Sequence, residues 1–352
     1  MKIIIKYLLS NKIFYIRSFF SLLKGILTTP PGFDGKILTV IWDYSIFPYT
    51  FDYNVFMVNA IMDMNKRGFK AVDLYILVNK DKPSRGDQDY INQSNYKTII
   101  NNIVLESIEM YPNIRNVHYL SSVQSILFFY IRNIFSNVYP KSYSSIFPRK
   151  TVNGYLNNEH IPEIIIPRTT VDIVSRWIVY NGLKNGNYIT ITIRNKSDRP
   201  ESNTDIHEWL KLIKYFDKYS VKFVIVPEYN DVYSHKIYDV FTPESIVCNQ
   251  AALSTRFRAQ LYKEAMINLM VDCGTHFFLT YQSTPYIIFL KQTINDTGEH
   301  LGNDYDFYHK AFGINAGKWL PFAKWSQRLE YGDSSKTLIK AVESLYLEID
   351  NK

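Results

Sequence analysis

At 352 residues, with 46% hydrophobic and 16% aromatic side chains, the chain is too apolar to be disordered and can bury a substantial core as one large domain or two ordinary ones. Its two cysteines, Cys248 and Cys273, exclude a disulfide framework and lack metal-ligand spacing, which makes a reducing compartment the default. Of the net charge of +7, Lys2, Lys6, Lys12, Arg17 and Lys24 in the first 30 residues account for +5, leaving +2 for a body too balanced to carry a broad nucleic-acid-binding surface.

Residues 2–27 are rich in Ile, Leu, Phe and Tyr, yet cations interrupt them every few positions. At 100° per residue Lys2, Lys6, Arg17 and Lys24 fall within about 60° of one another on a helical wheel. No apolar run reaches the ~20 residues of a membrane span. Lys6 and Lys12 also break any secretory h-region, and no small-residue cleavage site follows. Residues 1–30 are therefore expected to form a basic amphipathic helix lying on an anionic membrane surface. The alternative is a helix packed on the body with a solvated cationic face. The expected location is cytoplasmic, peripheral on the inner membrane face.

Pro30-Pro31-Gly32 ends that segment, and residues 31–165 are expected to form a first α/β domain. Lys36–Trp42 reads as a strand running into Asp43, and Asp52–Arg67 as a helix ended by Gly68. Val72–Val78 is a second strand. Helical patterns at about 90–109 and 121–136, with a short strand near 114–119, continue the alternation. From Tyr139 to Pro167 the pattern loosens around five prolines and glycines, as in an inter-domain crossover ending in a short strand at Glu163–Ile166.

The second domain is expected over 166–334, with a last helix over 335–352. A helix at Val171–Tyr180 leads to Tyr188-Ile-Thr-Ile-Thr-Ile193, a run of β-branched and aromatic residues expected of a strand buried on both faces. It stops at Arg194, followed by the polar loop Asn195-Lys196-Ser197-Asp198-Arg199-Pro200. Thr204 is placed to cap a helix whose apolar face is Ile206, Trp209, Leu210, Ile213 and Phe216. Val221–Val226 is the next strand. A helix near 255–266 with Arg256 and Arg258 in its first turn, a strand at Ile267–Val271 and a strand at Pro285–Leu290 complete the unit.

Open α/β sheets bind ligands at the carboxyl ends of their strands. Arg194 stands at such an end, with Asn195 and Lys196 beside it, and a phosphate-bearing substrate is the natural partner of that charge. Asp272-Cys273-Gly274-Thr275-His276 turns from a strand into a helix, where backbone amides are able to hold a phosphate and where Thr275 and His276 are expected to project toward Arg194. Glu228 and Asn230, in the loop after the 221–226 strand, are candidates for nucleobase or ribose contact, against a plain solvated turn. Arg256 and Arg258 are cations within reach of phosphate, with surface ion pairs as the alternative. Ser283, beyond the glycine turn, is a candidate sugar contact, with helix-end packing as its alternative.

No HExxH or Cys/His cluster, no GxGxxG or Walker A run and no GxSxG elbow occurs, which disfavours metal catalysis, nicotinamide or P-loop enzymes and typical α/β-hydrolases. Asp87-Gln-Asp89 matches an Asp-x-Asp pair in letters only and is read as a solvated turn. The aromatic run Trp319, Phe322, Trp325 reads as core before sugar platform.

A strand ending in arginine, a helix bearing Trp209, a further strand and an Asp-x-Gly-x-His turn before a proline-led strand together resemble the donor-binding half of GT-B-fold glycosyltransferases, over about residues 185–330. The turn is similar to the Asp-Ser-Gly-x-x-His element of the heptosyltransferase-like branch, with Cys273 in place of the hydroxyl residue and His276 one residue early. Arg194 looks like the strand arginine of fucosyltransferase-like enzymes, without that family's flanking pattern. The resemblance implies two Rossmann-like domains facing a cleft, acceptor on the first and nucleotide-sugar on the second, and a diphosphate stabilised by cations without a metal or other cofactor. A general base then comes from the first domain: Asp43 after the first strand, or Asp52, which is also a good N-cap. The expected function is metal-independent sugar transfer from a nucleotide-sugar to a glycan or lipid-linked acceptor. The alternatives are a nucleotide-sugar epimerase of the same architecture or a non-catalytic peripheral membrane protein.

Overall fold

The computed structural model describes residues 36–44, 51–78, 98, 100–121, 137–140, 147–196, 200–232, 240–241, 245–291, 312–314 and 319–351. Segment 1–30, residues 122–136 of the helix expected at about 121–136, Asp87, Asp89 and Ser197–Arg199 lie outside these residues. The chain is α/β and divides into two compact units. One comprises Met1–Phe47, Asp63–Ser84 and Asn113–Tyr143; the other comprises Pro48–Met62, Arg85–Pro112 and Ser144–Lys352.

The first unit holds β1 (Ile37–Asp43), β2 (Ala71–Val78), β3 (Ile114–Ser121) and β4 (Val138–Tyr139), all parallel in the order β3-β2-β1-β4. Leu38 to Trp42 are buried on both faces, which explains the unbroken apolar run of β1. Helix α1 (Asp52–Lys66) follows β1; its first eleven residues fall in the second unit and its last turn in the first. Gly68, at φ +73°, ends it: Gly68 N–H donates to Asn65 O and Phe69 N–H to Met64 O, a left-handed stop that a Cβ would strain.

The second unit carries α2 (Phe147–Leu156), α3 (Arg168–Tyr180), β5 (Tyr188–Thr192), α4 (Ile206–Phe216), β6 (Lys222–Val226), β7 (Ser245–Val247), α5 (Asn249–Leu253), α6 (Thr255–Glu264), β8 (Ile267–Val271), α7 (His276–Thr280), β9 (Tyr286–Leu290), β10 (Gln327–Tyr331) and α8 (Ser335–Asp350). Its six strands are parallel in the order β10-β9-β8-β5-β6-β7. Counted from β5, that is 3-2-1-4-5-6, so the chain reverses direction across the sheet between β5 and β8. A crevice opens at such a point because the helices leaving the two strands go to opposite faces.

One core cluster joins α4, α8 and this sheet. Trp209 of α4 is fully buried and meets Phe289 of β9 edge-on at 5.6 Å between ring centroids. Leu338, Val342 and Leu345 of α8 belong to the same cluster. Each such side chain contributes about 1.5–3 kcal/mol by leaving water, which is what holds the loops at the strand ends in place.

Four expectations are corrected. The loose stretch after Tyr139 contains a helix, α2, because Pro148 sits in its first turn, where no amide partner is needed. Glu163–Ile166 forms no strand and joins neither sheet. Of the 90–109 region, Thr98 and Glu106–Ile108 are α-helical, Ile100–Leu105 is π-helical instead, and 90–97 and 99 lie outside the described residues. Asp205, not Thr204, caps α4, accepting from the amides of His207 and Glu208. Strands β7 and β10 were not foreseen.

Candidate functional site

The site is assembled at the carboxyl ends of β5, β6 and β8. Thr192 of β5 lies opposite Met270 of β8, so two residues further on Arg194 comes opposite Asp272. Arg194 is 8% exposed, and its Nη1 donates to the Asp272 carbonyl oxygen. Its Nε is buried without a hydrogen-bond partner among the described residues. The backbone of Arg194 is latched by Thr204: the Arg194 amide donates to Thr204 Oγ1 at 2.9 Å and the Thr204 amide donates to Arg194 O at 2.9 Å. A second rung follows, from Lys196 N–H to Asn203 Oδ1 at 2.7 Å and from Asn203 Nδ2 to Lys196 O at 2.8 Å. The guanidinium is thus fixed by β5 on one side and by this ladder on the other.

Asn195 is exposed, and its Nδ2 reaches Asp231 Oδ1 and Oδ2 at 3.2 and 3.0 Å, tying the loop after β5 to the turn Tyr229–Asp231 after β6. Glu228 and Asn230 belong to that same connection. Glu228 is close enough to Cys273 for its carboxylate to act on the thiol. Burial pushes the Cys273 thiol up, Glu228 and Asp272 push the same way, and Arg194 and Thr275 oppose them, so these five groups share one neighbourhood.

Within the Asp272–His276 turn the structure departs from the expected amide cradle. The amides of His276, Phe277 and Phe278 already donate to Cys273, Gly274 and Thr275 carbonyls at 3.1, 3.4 and 3.2 Å. Helix α7 is five residues long. Gly274 has ordinary backbone angles, and a Cβ there would sit 3.4 Å from Phe51. Thr275 and His276 are buried at 4% and 3% exposure rather than projecting into an open crevice. Thr275 Oγ1 lies 2.9 Å from Cys273 Sγ and also bonds the Tyr262 hydroxyl, which meets Thr192 Oγ1 at 2.5 Å.

His276 Nδ1 donates to the Cys273 carbonyl at 2.7 Å, which fixes the ring proton on Nδ1. Burial holds its pKa down to about 4, against the opposing pull of that carbonyl and of the Asp52 carboxylate. Asp52, the first residue of α1, therefore faces the same turn as Arg194. Asp43, 8% exposed at the end of β1, belongs to the first unit.

Two of the candidates are engaged elsewhere. Arg256 pairs with Glu109 through Nη1, and its amide donates to Glu106 Oε2 at 3.3 Å, so the ion-pair alternative describes it. Ser283 is exposed and donates to Glu163 Oε1 at 3.4 Å. It precedes β9, whose first residue Tyr286 pairs with Asn268 near the start of β8, so it lies at the amino end of the sheet, away from Arg194. Trp319 donates through Nε1 to Tyr286 Oη at 2.9 Å and Phe322 stacks on Tyr281, both packing roles.

Arg258 is the residue whose place in the site the sequence understates. Two positions beyond Arg256, it is 6% exposed, donates through Nε to Ala251 O at 2.6 Å and lies 5.6 Å from the Phe51 ring centroid. The helical spacing that turns it inward, opposite Arg256, was the available signal. Among the described residues no group of three or more His, Cys, Asp or Glu side chains is placed to hold a metal ion, and no helix is long and apolar enough to cross a membrane.

No family model and no curated protein sequence matches the chain. Solved structures do. A glycosyl transferase family 9 protein from Veillonella parvula aligns with a TM-score of 0.52 at 12% identity, over 90% of this chain and 98% of its own. The ADP-heptose LPS heptosyltransferase II of E. coli aligns with a TM-score of 0.52 at 8% identity, over 89% of this chain and 99% of its own. With two all-parallel sheets, the second wound 3-2-1-4-5-6, the chain has the GT-B glycosyltransferase-like architecture of these structures.

Proposed function

We propose that the chain transfers a sugar from a nucleotide-sugar donor to a glycan or lipid-linked acceptor, without calling on a metal. The observation that carries this is Arg194: a buried guanidinium at the switch point of the second sheet, held by backbone groups, with an Nε that has no partner among the described residues. Fixed charge of this kind stabilises a leaving diphosphate because it need not reorganise as negative charge develops. Glu228 and Asn230 follow β6, where they serve as ribose or nucleobase contacts, and Lys196 and Asn195 line the loop beside the phosphates.

Asp52 is the better placed of the two candidate bases, since its carboxylate acts on His276 in the same compact unit as Arg194. It takes the proton of an acceptor hydroxyl as that oxygen attacks the anomeric carbon. The bond from that carbon to the diphosphate breaks, and the diphosphate leaves with the electron pair beside Arg194. Asp43 then serves the acceptor, bound by the first unit. Residues 1–30, by their sequence, bring the enzyme to an anionic cytoplasmic membrane face where lipid-linked acceptors lie.

Thermal-shift screening with UDP-, GDP-, ADP- and CMP-sugars tests the donor assignment, because a ligand that prefers the native state raises its melting temperature. One class is expected to do so and to be turned over when acceptor is added. Consumption without acceptor would make the chain an epimerase, and no shift with any class would remove the donor site. Deleting residues 1–27 is expected to release the protein from anionic liposomes; retained binding would remove the anchor.

A further inference from the structure

We propose that Arg258 is a second anion-binding residue of the site, and that Arg194 and Arg258 together take one pyrophosphate-type group. The inference rests on the donor reading for its biological ligand but not for its chemistry.

Arg258 is more than nine-tenths buried, and a guanidinium brings five N–H donors into that environment. Its one hydrogen bond among the described residues goes to a neutral backbone oxygen, Ala251 O. No described carboxylate comes within 4.0 Å of it. The Phe51 ring, 5.6 Å from Cζ, offers only a weak electrostatic contact that cannot replace a counter-ion. Buried arginine is ordinarily paired with an acid, and Arg256, on the same helix, is so paired.

The position supplies the second half. Phe51 is the residue that a Cβ on Gly274 would meet at 3.4 Å, so Arg258 and the Asp272–Thr275 turn share one aromatic neighbour. Arg258 also acts electrostatically on Tyr262, whose hydroxyl bonds Thr275 and Thr192 of the same turn and strand. Arg194 borders the turn through Asp272 O and likewise has no described carboxylate within 4.0 Å. Two guanidinium groups border one short turn, and the Asp272, Glu228 and Asp52 carboxylates that act on that turn form no ion pair with either, so hydrogen-bond donors of both remain for an anion. A group with two linked phosphates matches that charge and can accept from two forks at once.

The test is calorimetric titration of the full chain with sodium pyrophosphate and with orthophosphate, followed by nucleoside di- and monophosphates. Wild type is expected to bind pyrophosphate about tenfold or more tighter than orthophosphate, and Arg258→Gln to lose about tenfold or more on pyrophosphate while orthophosphate stays within about threefold. Arg258→Lys, which keeps the charge and the buried stem, covers the case in which the glutamine variant does not fold, and is expected to retain part of the pyrophosphate affinity. Wild-type affinity in both variants, or wild type that does not distinguish the two phosphates, overturns the inference. Nucleotide-sugar turnover together with a pyrophosphate affinity untouched by Arg258→Gln sinks the inference and leaves sugar transfer standing. An Arg258-dependent pyrophosphate site without any turnover does the reverse.

Discussion

Two places in the second unit set cations among aromatic rings, and they resolve the charge in opposite ways. On the surface, Lys218 Nζ lies 3.8 Å from the Tyr215 ring and 4.7 Å from the Tyr219 ring, and pairs with Glu343 Oε1 at 3.0 Å. Glu343 accepts from both tyrosine hydroxyls as well, and those hydroxyls and Lys218 hold its carboxyl down to about 2. Every charge there has its complement, and the cluster joins α4 and its following turn to α8. Around the Asp272–Thr275 turn, Arg194 and Arg258 are buried more deeply, and neither has a described carboxylate within 4.0 Å, although the Asp272 and Glu228 carboxylates act on the same turn. A satisfied cation near the surface braces helices; on the proposed reading, the buried arginines meet their complement in a ligand's charge.

Substitutions sharpen that contrast. The largest effect is expected from Asp52→Asn, which should lower turnover about 10²–10⁴-fold with donor affinity retained; equal loss in Asp43→Asn and none in Asp52→Asn would move the base to the first unit. Arg194→Ala should cost about 10²–10³-fold in turnover, read as kcat on a chain whose circular dichroism is unchanged. Unaltered kinetics would dissolve the distinction between the two regions.

Next comes pH. His276 titrates near 6.5 when unfolded and at about 4 in the fold, so between those values the unfolded chain binds more protons. Stability is therefore full above pH 6.5 and falls as pH drops toward 4, by up to about 3 kcal/mol. Denaturant melts of His276→Gln should show a flatter profile over that window, and an unchanged slope would place the titration elsewhere. The smallest effects belong to the satisfied charges. Arg256→Ala should change turnover by less than about twofold, because Glu109 and Glu106 already occupy it. Glu343→Gln should leave nucleotide-sugar affinity untouched and lower the melting temperature slightly.

Much of the second sheet was legible in the sequence because its central strands are buried on both faces and advertise themselves as β-branched runs: β5 and β8 fall where the residues place them. The polar edge strand Gln327-Arg-Leu-Glu-Tyr331 and the three-residue β7 carry no such run and gave no signal. Helix α2 hid behind Pro148 and Gly154, whose punctuating value depends on position within the turn. A Cβ at 154 would meet the mobile end of Met62 and, at 3.1 Å, Glu159 Oε2, contacts that the sequence does not display. The π-helical Ile100–Leu105 has the same apolar spacing as an α-helix over so short a stretch. Arg194 could be found because it ends a strand, whereas what separates Arg258 from Arg256 is the presence of a carboxylate from residues about 150 positions away. Sequence displays charges one at a time; only the fold pairs them.

The two-rung ladder joining Arg194 to Thr204 and Lys196 to Asn203 has a consequence for how such a protein can change. It ties Arg194 and Lys196 directly to Thr204 and Asn203, so the strand end and the guanidinium are held by the rungs themselves. In general, doubling the length of a closed loop costs only about 0.6 kcal/mol in entropy, which bears on the residues that connect Lys196 to Asn203. Evolution, or an engineer grafting new contacts for a different sugar, can rewrite that stretch as an exchangeable cassette while the charge that it borders stays where it is.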